Sequence, residues 1–388
     1  MKRTFLFSLL SLTLLSACQE QQGKSDSETI QTLEVDIQAE ESKKPLSDFA
    51  ENTLVVLPTS DSLLIGEIYR IRSQGDYVYL SDGANLYKFH LNGSYQGKIS
   101  RQGQGPEEYI NIGDFHIDNQ GDAWLSCRNN NSIYQYSWDN EFKQRIKVDL
   151  WMEHIFWHNK GLYIYSGNET GFDNAYQLHY LNLDNKQIEH HFKPIDKYMS
   201  QYLFVFMTNV FQKAKDNAAY FTQMFNDTIY SLSPDTYKPK YVVNLGNHNI
   251  PKSFYEHNYR DIMDFFTRLH DENRLAYGIN AFVETNTNYC IGYIYQEKVH
   301  LSILPKDFQK EQARFNTLYV DKLFNYPIDL SEATLFVGDN GRIIIPLQPF
   351  DIIAYGKEHL SPEQLKELKE RIHYIDDQNP ILLVVDLL

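Results

Sequence analysis

The chain has 388 residues, of which 42% are hydrophobic and 14% aromatic, and its formal net charge is −15 from 36 basic and 51 acidic side chains. This apolar content is enough for a buried core and excludes a chain that is disordered throughout. So large an excess of acidic groups repels phosphate backbones, which argues against nucleic acid as a partner and against charge-driven binding to an anionic bilayer.

The first 17 residues have the pattern of a bacterial export signal. Lys2 and Arg3 precede an apolar stretch, Phe5 to Leu15, that is too short to span a bilayer. The stretch ends in Leu15-Ser16-Ala17-Cys18, a lipobox, in which the chain is cut before the cysteine and the cysteine is acylated. We therefore expect residues 1–17 to be a signal peptide and Cys18 to carry a lipid that holds the protein in the cell envelope, at the outer membrane.

Residues 18–50 are rich in Glu, Gln, Ser and Lys, a composition that buries little apolar surface. We expect this segment to be a flexible tether. The folded domain is then expected to cover residues 51–388.

Six copies of one strand pattern follow. The first copy has strands at Asp76 to Ser81, at Leu86 to Phe89 and, after an Asn92-Gly93 turn, at Tyr95 to Ile99. Equivalent positions in the six copies lie 39 to 70 residues apart, at Tyr79, Leu125, Ile164, Phe221, Ile291 and Ile345. Blades of four strands need about 40 to 50 residues, so the pattern predicts an all-β fold, a six-bladed β-propeller with insertions in the longer intervals.

Two features concern the ends of the domain and its helices. The apolar strand Pro380 to Asp386, or the early strand Asn52 to Leu57, is expected to complete a blade begun at the other end of the chain. Short helical insertions are expected at about 254–275, by apolar periodicity, and at about 361–373, after the Ser361-Pro362 helix start. Cys127 and Cys290 fall in opposite blades and are expected to be buried free thiols.

The chain resembles a known family at a group of positions in and after the first copy. The matching residues are Asp82, Phe89, Asn92-Gly93, Gly103, Gly105-Pro106 and Glu108-Tyr109, and the departure is Glu107, where the family more often has glycine. These residues resemble the six-bladed, NHL-like β-propeller lipoproteins of Bacteroidetes. The resemblance implies the propeller fold and an envelope location, and it implies little about a ligand.

Candidate binding residues come from the position of loops in a propeller. Connections between blades and the loops between second and third strands lie on one face, where ligands usually bind. The candidates on this face are Asp82, Asn85, Arg101, Glu108, Trp151, His154, Lys197 and Tyr198. For each of them, a role in holding its loop together is the alternative.

Signs of cofactor chemistry are weak. Gly103-Gln104-Gly105 precedes a strand rather than a helix, so it is not a phosphate-binding loop. His154 and His158 lie four apart on an expected strand, too far apart to share a metal ion. We expect no metal or other cofactor, although carboxylates and amides such as Asp82, Asn131, Asn168 and Asn226 leave calcium at the pore as an alternative.

No catalytic motif is found in the sequence. We therefore expect a non-enzymatic, membrane-anchored envelope lipoprotein whose loop face binds a polymer, a peptide or a partner protein, with glycan as one possibility because of the many tyrosines. The alternative is a metal-dependent propeller enzyme of the lactonase or lyase kind.

Overall fold

The structure is a computed structural model that describes residues 30–171, 174–196, 198, 210–214, 217–307 and 309–388. Six four-stranded antiparallel units are arranged as a β-propeller, as the repeat pattern predicts. In every blade the predicted equivalent position lies in the second strand. Helices of the described residues are confined to connections between strands.

Blades one to three are continuous in sequence, and each runs from the axis outward. Their strands are β3 (Arg70–Gln74), β4 (Tyr77–Ser81), β5 (Leu86–His90) and β6 (Tyr95–Ile99); β7 (Asp114–Ile117), β8 (Ala123–Cys127), β9 (Ser132–Tyr136) and β10 (Phe142–Lys147); and β11 (His154–His158), β12 (Gly161–Tyr165), β13 (Tyr176–Asn182) and β14 (Gln187–Pro194). The tight turn before β6 places Gly93 at φ +89°, where a side chain would also approach the Val56 carbonyl oxygen to 2.5 Å.

Blades four and five complete the continuous part. Their strands are β15 (Phe211–Lys213), β16 (Ala219–Phe221), β17 (Thr228–Ser233) and β18 (Thr236–Asn244), and β19 (Ala276–Glu284), β20 (Asn288–Tyr295), β21 (Lys298–Pro305) and β22 (Ala313–Phe315). A hairpin of β23 (Thr317–Val320) and β24 (Tyr326–Asp329) leads to the last blade.

Blade six joins the two ends of the domain. It contains β25 (Phe336–Val337), β26 (Arg342–Leu347), β27 (Ile381–Leu387) and β2 (Ala50–Val56), and β2 pairs antiparallel with β27 along its whole length. Both segments proposed from the sequence therefore take part in closure. The C-terminal segment supplies the third strand, and the N-terminal segment supplies the outer one.

The hydrophobic core is divided among the interfaces between blades. Each of the six interfaces has its own buried cluster, including the one between blades six and one, where Leu382 of β27 packs with Phe89 of β5. Middle strands such as β8 and β12 are buried on both faces because a blade is covered by a neighbour on each side. The outer strands β10 and β14 alternate mostly between half-buried and exposed positions, as expected at the rim.

The expected tether is wrong from Gln31 onward. Strand β1 (Gln31–Glu34) pairs in parallel with β18 and adds a fifth strand to the outer edge of blade four. Leu33, Val35 and Ile37 are buried in the cluster between blades four and five. Between β1 and β2 the chain runs along blade five and the hairpin that follows it, where Glu41 and Pro45 form isolated bridges with Arg314 and Tyr319. This segment therefore covers a strand edge that would otherwise be open.

Four α-helices occupy the connections. The predicted insertion is present as α1 (Lys252–Tyr255) and α2 (Ile262–Asp271), and the predicted C-terminal helix is present as α4 (Pro362–Arg371), with the capping box between Ser361 and Gln364. Helix α3 (Pro349–His359) was not expected. Short 3-10 turns occur at Leu46–Asp48, Arg128–Asn130, Gly246–His248, Asp321–Leu323 and Asp339–Gly341.

The helical insertion packs on the rim of blades four and five. Phe265 and Leu269 of α2 are buried with Phe254 of α1, and this cluster contacts Phe225 of blade four and Tyr277 of blade five. Met263 lies on the opposite side of α2 from this cluster and is 67% exposed.

Cys127 and Cys290 are buried free thiols in blades two and five, which confirms that prediction. Burial raises the pKa of the Cys290 thiol to about 12. Within the described residues, no helix is long and apolar enough to cross a membrane.

Candidate functional site

The innermost strands bring a charged cluster into the central channel. Asp114, at the start of β7, is completely buried; its Oδ2 lies 3.1 Å from Nη2 of Arg72 and accepts a hydrogen bond of 2.9 Å from the Ile155 amide. Arg72 also donates from Nη2 to the Ile155 carbonyl oxygen at 3.2 Å. This cluster therefore links the innermost strands of blades one, two and three.

The charge of Asp114 is stabilised inside the protein. Burial alone would raise the pKa of this carboxyl group, but the Arg72 guanidinium and the hydrogen bond with His154 hold its pKa below the usual range. Asp114 thus stays ionised as the acceptor of this cluster.

His154, a predicted binding residue, belongs to the same cluster. Its Nδ1 lies 3.4 Å from Oδ2 of Asp114, and its side chain is 1% exposed. Burial lowers the pKa of His154 to about 4, so the ring is neutral near pH 7. The structure therefore places His154 in the interior of the channel and away from the loop surface, because β11 begins at this residue and directs the ring inward.

A second group of titratable side chains lies deeper along the channel. Nζ of Lys213 on β15 is 3.9 Å from Oδ2 of Asp339, which follows β25. Burial raises the pKa of Asp339 to about 6, although the nearby Lys213 opposes this shift. Burial also lowers the pKa of His158, on β11, to about 4. His154 and His158 share a strand, as predicted.

Arg101 and Glu108 hold the loop between blades one and two. Oε2 of Glu108 accepts a hydrogen bond of 2.8 Å from the Gly105 amide, and a side chain at Gly103 would collide with that carboxylate. Nε of Arg101 donates to the Asn140 carbonyl oxygen at 3.0 Å. The Gly-x-Gly sequence thus allows a carboxylate to close the loop.

Asp82 and Asn85 have a similar local role. Oδ1 of Asp82 accepts hydrogen bonds from the amides of Ala84 and Asn85, at 3.0 and 2.7 Å, and its Oδ2 accepts one from the Tyr87 hydroxyl at 3.0 Å. These bonds form an Asx turn between β4 and β5.

Trp151 lies in the connection between β10 and β11, where the Arg128 guanidinium is 5.2 Å from the centre of its ring. Arg128 also donates to the carbonyl oxygens of Met152 and Glu153, so it ties the connection before β11 to blade two. Cys18 and Lys197 lie outside the described residues.

Tyr198, the remaining predicted residue, lines a cavity of about 230 Å³ between blades three and four. We call this the first cavity. Its walls come from loops of blade three, the loop between β16 and β17, and helix α1. The lining residues are Tyr165, Asn168, Gln177, Lys193, Pro194, Asp196, Tyr198, Gln223, Met224, Phe225, Asn226, Lys252, Tyr255 and Glu256.

A second cavity of about 280 Å³ adjoins it between blades four and five. The two cavities share Phe225, Asn226, Lys252 and Tyr255. The other side of the second cavity is formed by Asn249 and by the beginning of β19, including Tyr277 and Gly278.

A third cavity of about 590 Å³ lies between α2 and the turn from β20 to β21. It shares Tyr277 with the second cavity. Its lining residues are Phe266, Thr267, Leu269, His270, Asn273, Leu275, Tyr277, Gln296 and Glu297. The three cavities together, called the blade-four groove below, follow the loop face from blade three to blade five.

Phe225 stands between the first two cavities with a left-handed backbone, at φ 62°. Its ring stacks on Tyr277, with 5.9 Å between centroids, and meets Phe265 of α2 edge to face at 5.2 Å. A bulky residue in this conformation is held there by its surroundings. Phe225 thereby fixes the position of the helical insertion, which forms the walls of the groove.

The suggested calcium residues do not form one site. Asn168 and Asn226 both line the first cavity, but Asp82 belongs to the Asx turn of blade one and Asn131 caps a 3-10 turn in blade two. Among the described residues there is no group of three His, Cys, Asp or Glu side chains that could hold a metal ion.

Most groove residues were not found from the sequence. Asn168 and Lys252 are 84 positions apart and meet only because the ring places blade three next to blade four. The one available signal was the long interval between blades four and five, where the helical insertion was expected.

Residues 29–386 match the model of a family described as "Domain of unknown function (DUF4934)". None of the curated proteins matches the sequence significantly. A solved structure of a Bacteroides fragilis protein, named as one expected to be exported, is similar with a TM-score of 0.68 and 16% identity, over 93% of this chain and 100% of that one.

A Bacteroides vulgatus protein of the DUF4221 family is similar with a TM-score of 0.50 and 8% identity, over 87% of this chain and 97% of that one. Virginiamycin B lyase from Staphylococcus aureus gives a TM-score of 0.43 at 11% identity, over 87% of this chain and 100% of the lyase, which is too low to bear on function. These likenesses concern the fold alone.

Proposed function

The chain belongs to the DUF4934 family, and we propose that it is a non-enzymatic envelope protein, anchored through Cys18, that binds a polymer, a peptide or a partner protein in the blade-four groove. The observation that carries this proposal is the set of three adjoining cavities on the loop face. They combine half-exposed aromatic rings with several polar side chains, two kinds of group that ligand sites use to bind and to orient a ligand.

Export and anchoring are supported by two independent features. The lipobox Leu15-Ser16-Ala17-Cys18 supplies an acylation site at the end of an export signal. The similar Bacteroides fragilis protein is also named as one expected to be exported.

Binding without catalysis is favoured by the positions of the carboxyl and imidazole groups whose pKa values are shifted. Asp114, His154 and Asp339 have shifted pKa values, but they bond to neighbouring strands in the channel and line none of the three cavities. Their shifts therefore fit a structural role better than a catalytic one.

The test is to offer the purified, lipid-free protein a panel of polysaccharides and peptides in affinity electrophoresis, and to recover each ligand for mass spectrometry. We expect retention of at least one ligand, recovered with unchanged mass. The Gln223→Trp variant, which fills the first cavity, should lose retention, whereas Gln96→Trp on exposed β6 of blade one should keep it. A ligand that returns cleaved or rearranged would show an enzyme, and retention unaffected by Gln223→Trp would place the site elsewhere.

A further inference from the structure

The blade-four groove is elongated. The first and second cavities share four residues, and the second and third share Tyr277, so the three adjoin one another in the order of blades three, four and five. A compact small molecule would fill one of them. Simultaneous use of all three requires a chain-like ligand that lies across the loop face.

Amide side chains occur in each cavity. The first has Asn168, Gln177, Gln223 and Asn226, the second has Asn226 and Asn249, and the third has Asn273 and Gln296. Asn168 and Gln177 are nine-tenths or more buried at the first cavity and bond to each other. An amide both donates and accepts hydrogen bonds, as a hydroxyl group does, so this lining matches a ligand that carries many hydroxyl groups.

Half-exposed aromatic rings accompany the amides. Tyr255 lies at the junction of the first and second cavities, Tyr277 at the junction of the second and third, and Phe266 in the third. An aromatic ring offers a flat apolar surface next to polar groups. The C–H face of a pyranose ring packs on such a surface while its hydroxyl groups reach the amides.

The charges of the groove argue against an anionic chain. Acidic lining residues outnumber the two lysines, and Lys252 is already paired with Glu256 at 3.1 Å. Nδ1 of His270 likewise lies 2.5 Å from Oε1 of Glu297. A polymer of uronic acid or a nucleic acid would be repelled by this excess of negative charge.

An extended peptide fits the groove less well than a polymer that carries hydroxyl groups. Such peptides commonly bind by adding a strand to an open sheet edge. At blade four β1 pairs with β18 and forms the outer edge, and no residue of β1 lines any of the three cavities.

We infer that the ligand of the blade-four groove is a linear, uncharged oligosaccharide that spans all three cavities, an inference that rests on the proposed function. The amides receive its hydroxyl groups, and Tyr255, Tyr277 and Phe266 receive its ring faces.

The test is calorimetric titration with hexasaccharides of β-1,4-glucan, β-1,4-mannan, β-1,4-xylan and α-1,4-glucan, each beside its disaccharide. A hexagalacturonate and an uncharged hexapeptide of Ser, Gln and Tyr complete the panel. We expect one neutral hexasaccharide to bind at least tenfold more tightly than its disaccharide, because the longer chain reaches further cavities.

Three variants locate the binding. Tyr277→Ala should lower the affinity for the hexasaccharide at least tenfold. Gln223→Ala and Asn273→Ala, at opposite ends of the groove, should each lower it at least threefold. Tyr95→Ala, which removes a ring that is 40% exposed on blade one, serves as the matched control and should bind like the wild type. Thermal unfolding of each variant shows whether it is folded. Because Asn273 is exposed, its replacement should not disturb the fold, so Asn273→Ala still tests the site if Tyr277→Ala is unfolded.

The possible failures are distinguishable. Equal affinity for disaccharide and hexasaccharide, or no binding of any neutral hexasaccharide, overturns the inferred ligand. Binding of the hexapeptide or the hexagalacturonate that is lost in Tyr277→Ala also overturns it, but leaves the groove as the binding site. A neutral hexasaccharide that all variants bind equally overturns both the inference and the proposed site.

Discussion

The Asp114 carboxylate of blade two and the Arg72 guanidinium of blade one approach to 3.1 Å inside the channel, where both side chains are almost completely shielded from water. An ion pair in such surroundings gains little over an apolar contact, but removal of one partner leaves the other charge buried alone. The pair therefore makes the positions of the innermost strands depend on each other.

The first prediction concerns this pair. Asp114→Asn should lower the free energy of unfolding by about 3 to 5 kcal/mol, because Arg72 would be left without its counter-charge. Urea unfolding followed by tryptophan fluorescence measures the loss. Glu370→Gln, which breaks an exposed ion pair with Lys366, is the control and should unfold at the same urea concentration as the wild type. Equal midpoints for the two variants would contradict a structural role of Asp114.

The second prediction concerns pH and Asp339. Burial raises the pKa of this carboxyl group from 3.8 to about 6, so its ionised form costs stability above pH 6, and this cost disappears as the pH falls toward 4. Asp339→Asn should therefore be more stable than the wild type by on the order of 2 kcal/mol at pH 8 and equal to it below pH 4.

Urea unfolding of both proteins at each pH measures this difference. Asp61→Asn, at an exposed acid, should give a difference that does not vary over the same range. If Asp339→Asn is less stable than the wild type at pH 8, the attraction between Asp339 and Lys213 outweighs the effect of burial.

The third prediction concerns ring closure. The buried side chain of Asn379 donates to the carbonyl oxygens of Pro58 and Leu63, each at 2.8 Å, and accepts from the Ile65 amide at 2.9 Å. Asn379→Ala should cost about 3 kcal/mol, since all three bonds join the two ends of the domain and the Leu63 carbonyl oxygen would stay buried without a partner. Asn185→Ala, in an exposed turn, is the matched control for urea unfolding. A cost no greater than that of the control would show that Asn379 does not contribute to closure.

The fourth prediction tests the docked N-terminal segment. Leu33 is 2% exposed in the cluster between blades four and five, so Leu33→Ala should destabilise the protein by about 2 to 5 kcal/mol. Ile30, just before β1, is 48% exposed, and Ile30→Ala should leave the unfolding midpoint unchanged. If the unfolding midpoint of Leu33→Ala also equals that of the wild type, residues 31–37 form a flexible tether.

The fifth prediction concerns the anchor. Cys18→Ala should move the protein from the membrane fraction to the soluble fraction of the native bacterium and abolish labelling with a fatty-acid analogue. Gln19→Ala keeps the lipobox cysteine and should remain in the membrane fraction. Membrane association of Cys18→Ala would refute the lipid anchor.

The propeller could be predicted because its signals are local. Each blade repeats the same strands and turns, and Tyr79, Leu125 and the other equivalent positions all lie in second strands. Closure was also predictable, because the apolar strand at Ile381–Leu387 had no blade of its own. The docking of β1 was missed because its surroundings are polar, although Leu33, Val35 and Ile37 alternate with acidic residues as an outer strand does.

The site was harder to predict, because loop membership does not determine where a side chain points. His154 was assigned to the loop face, but it begins β11 and turns into the channel. Glu108 and Asp82 are loop residues that bond to their own backbone. The groove depends on Phe225, which lines one cavity with Gln177 and the next with Tyr277, a relation across three blades that no spacing in the sequence encodes.

The parallel pairing of β1 with β18 determines the end of blade four at which a lipid on Cys18 would connect to the propeller. β18 runs toward the loops that line the second cavity, so β1 enters from the opposite end of blade four. The segment from Cys18 to Gln31 can span at most about 45 Å, far less than a flexible segment that continued to residue 50. A lipid on Cys18 would therefore connect to blade four at the end opposite to the loops that line the groove.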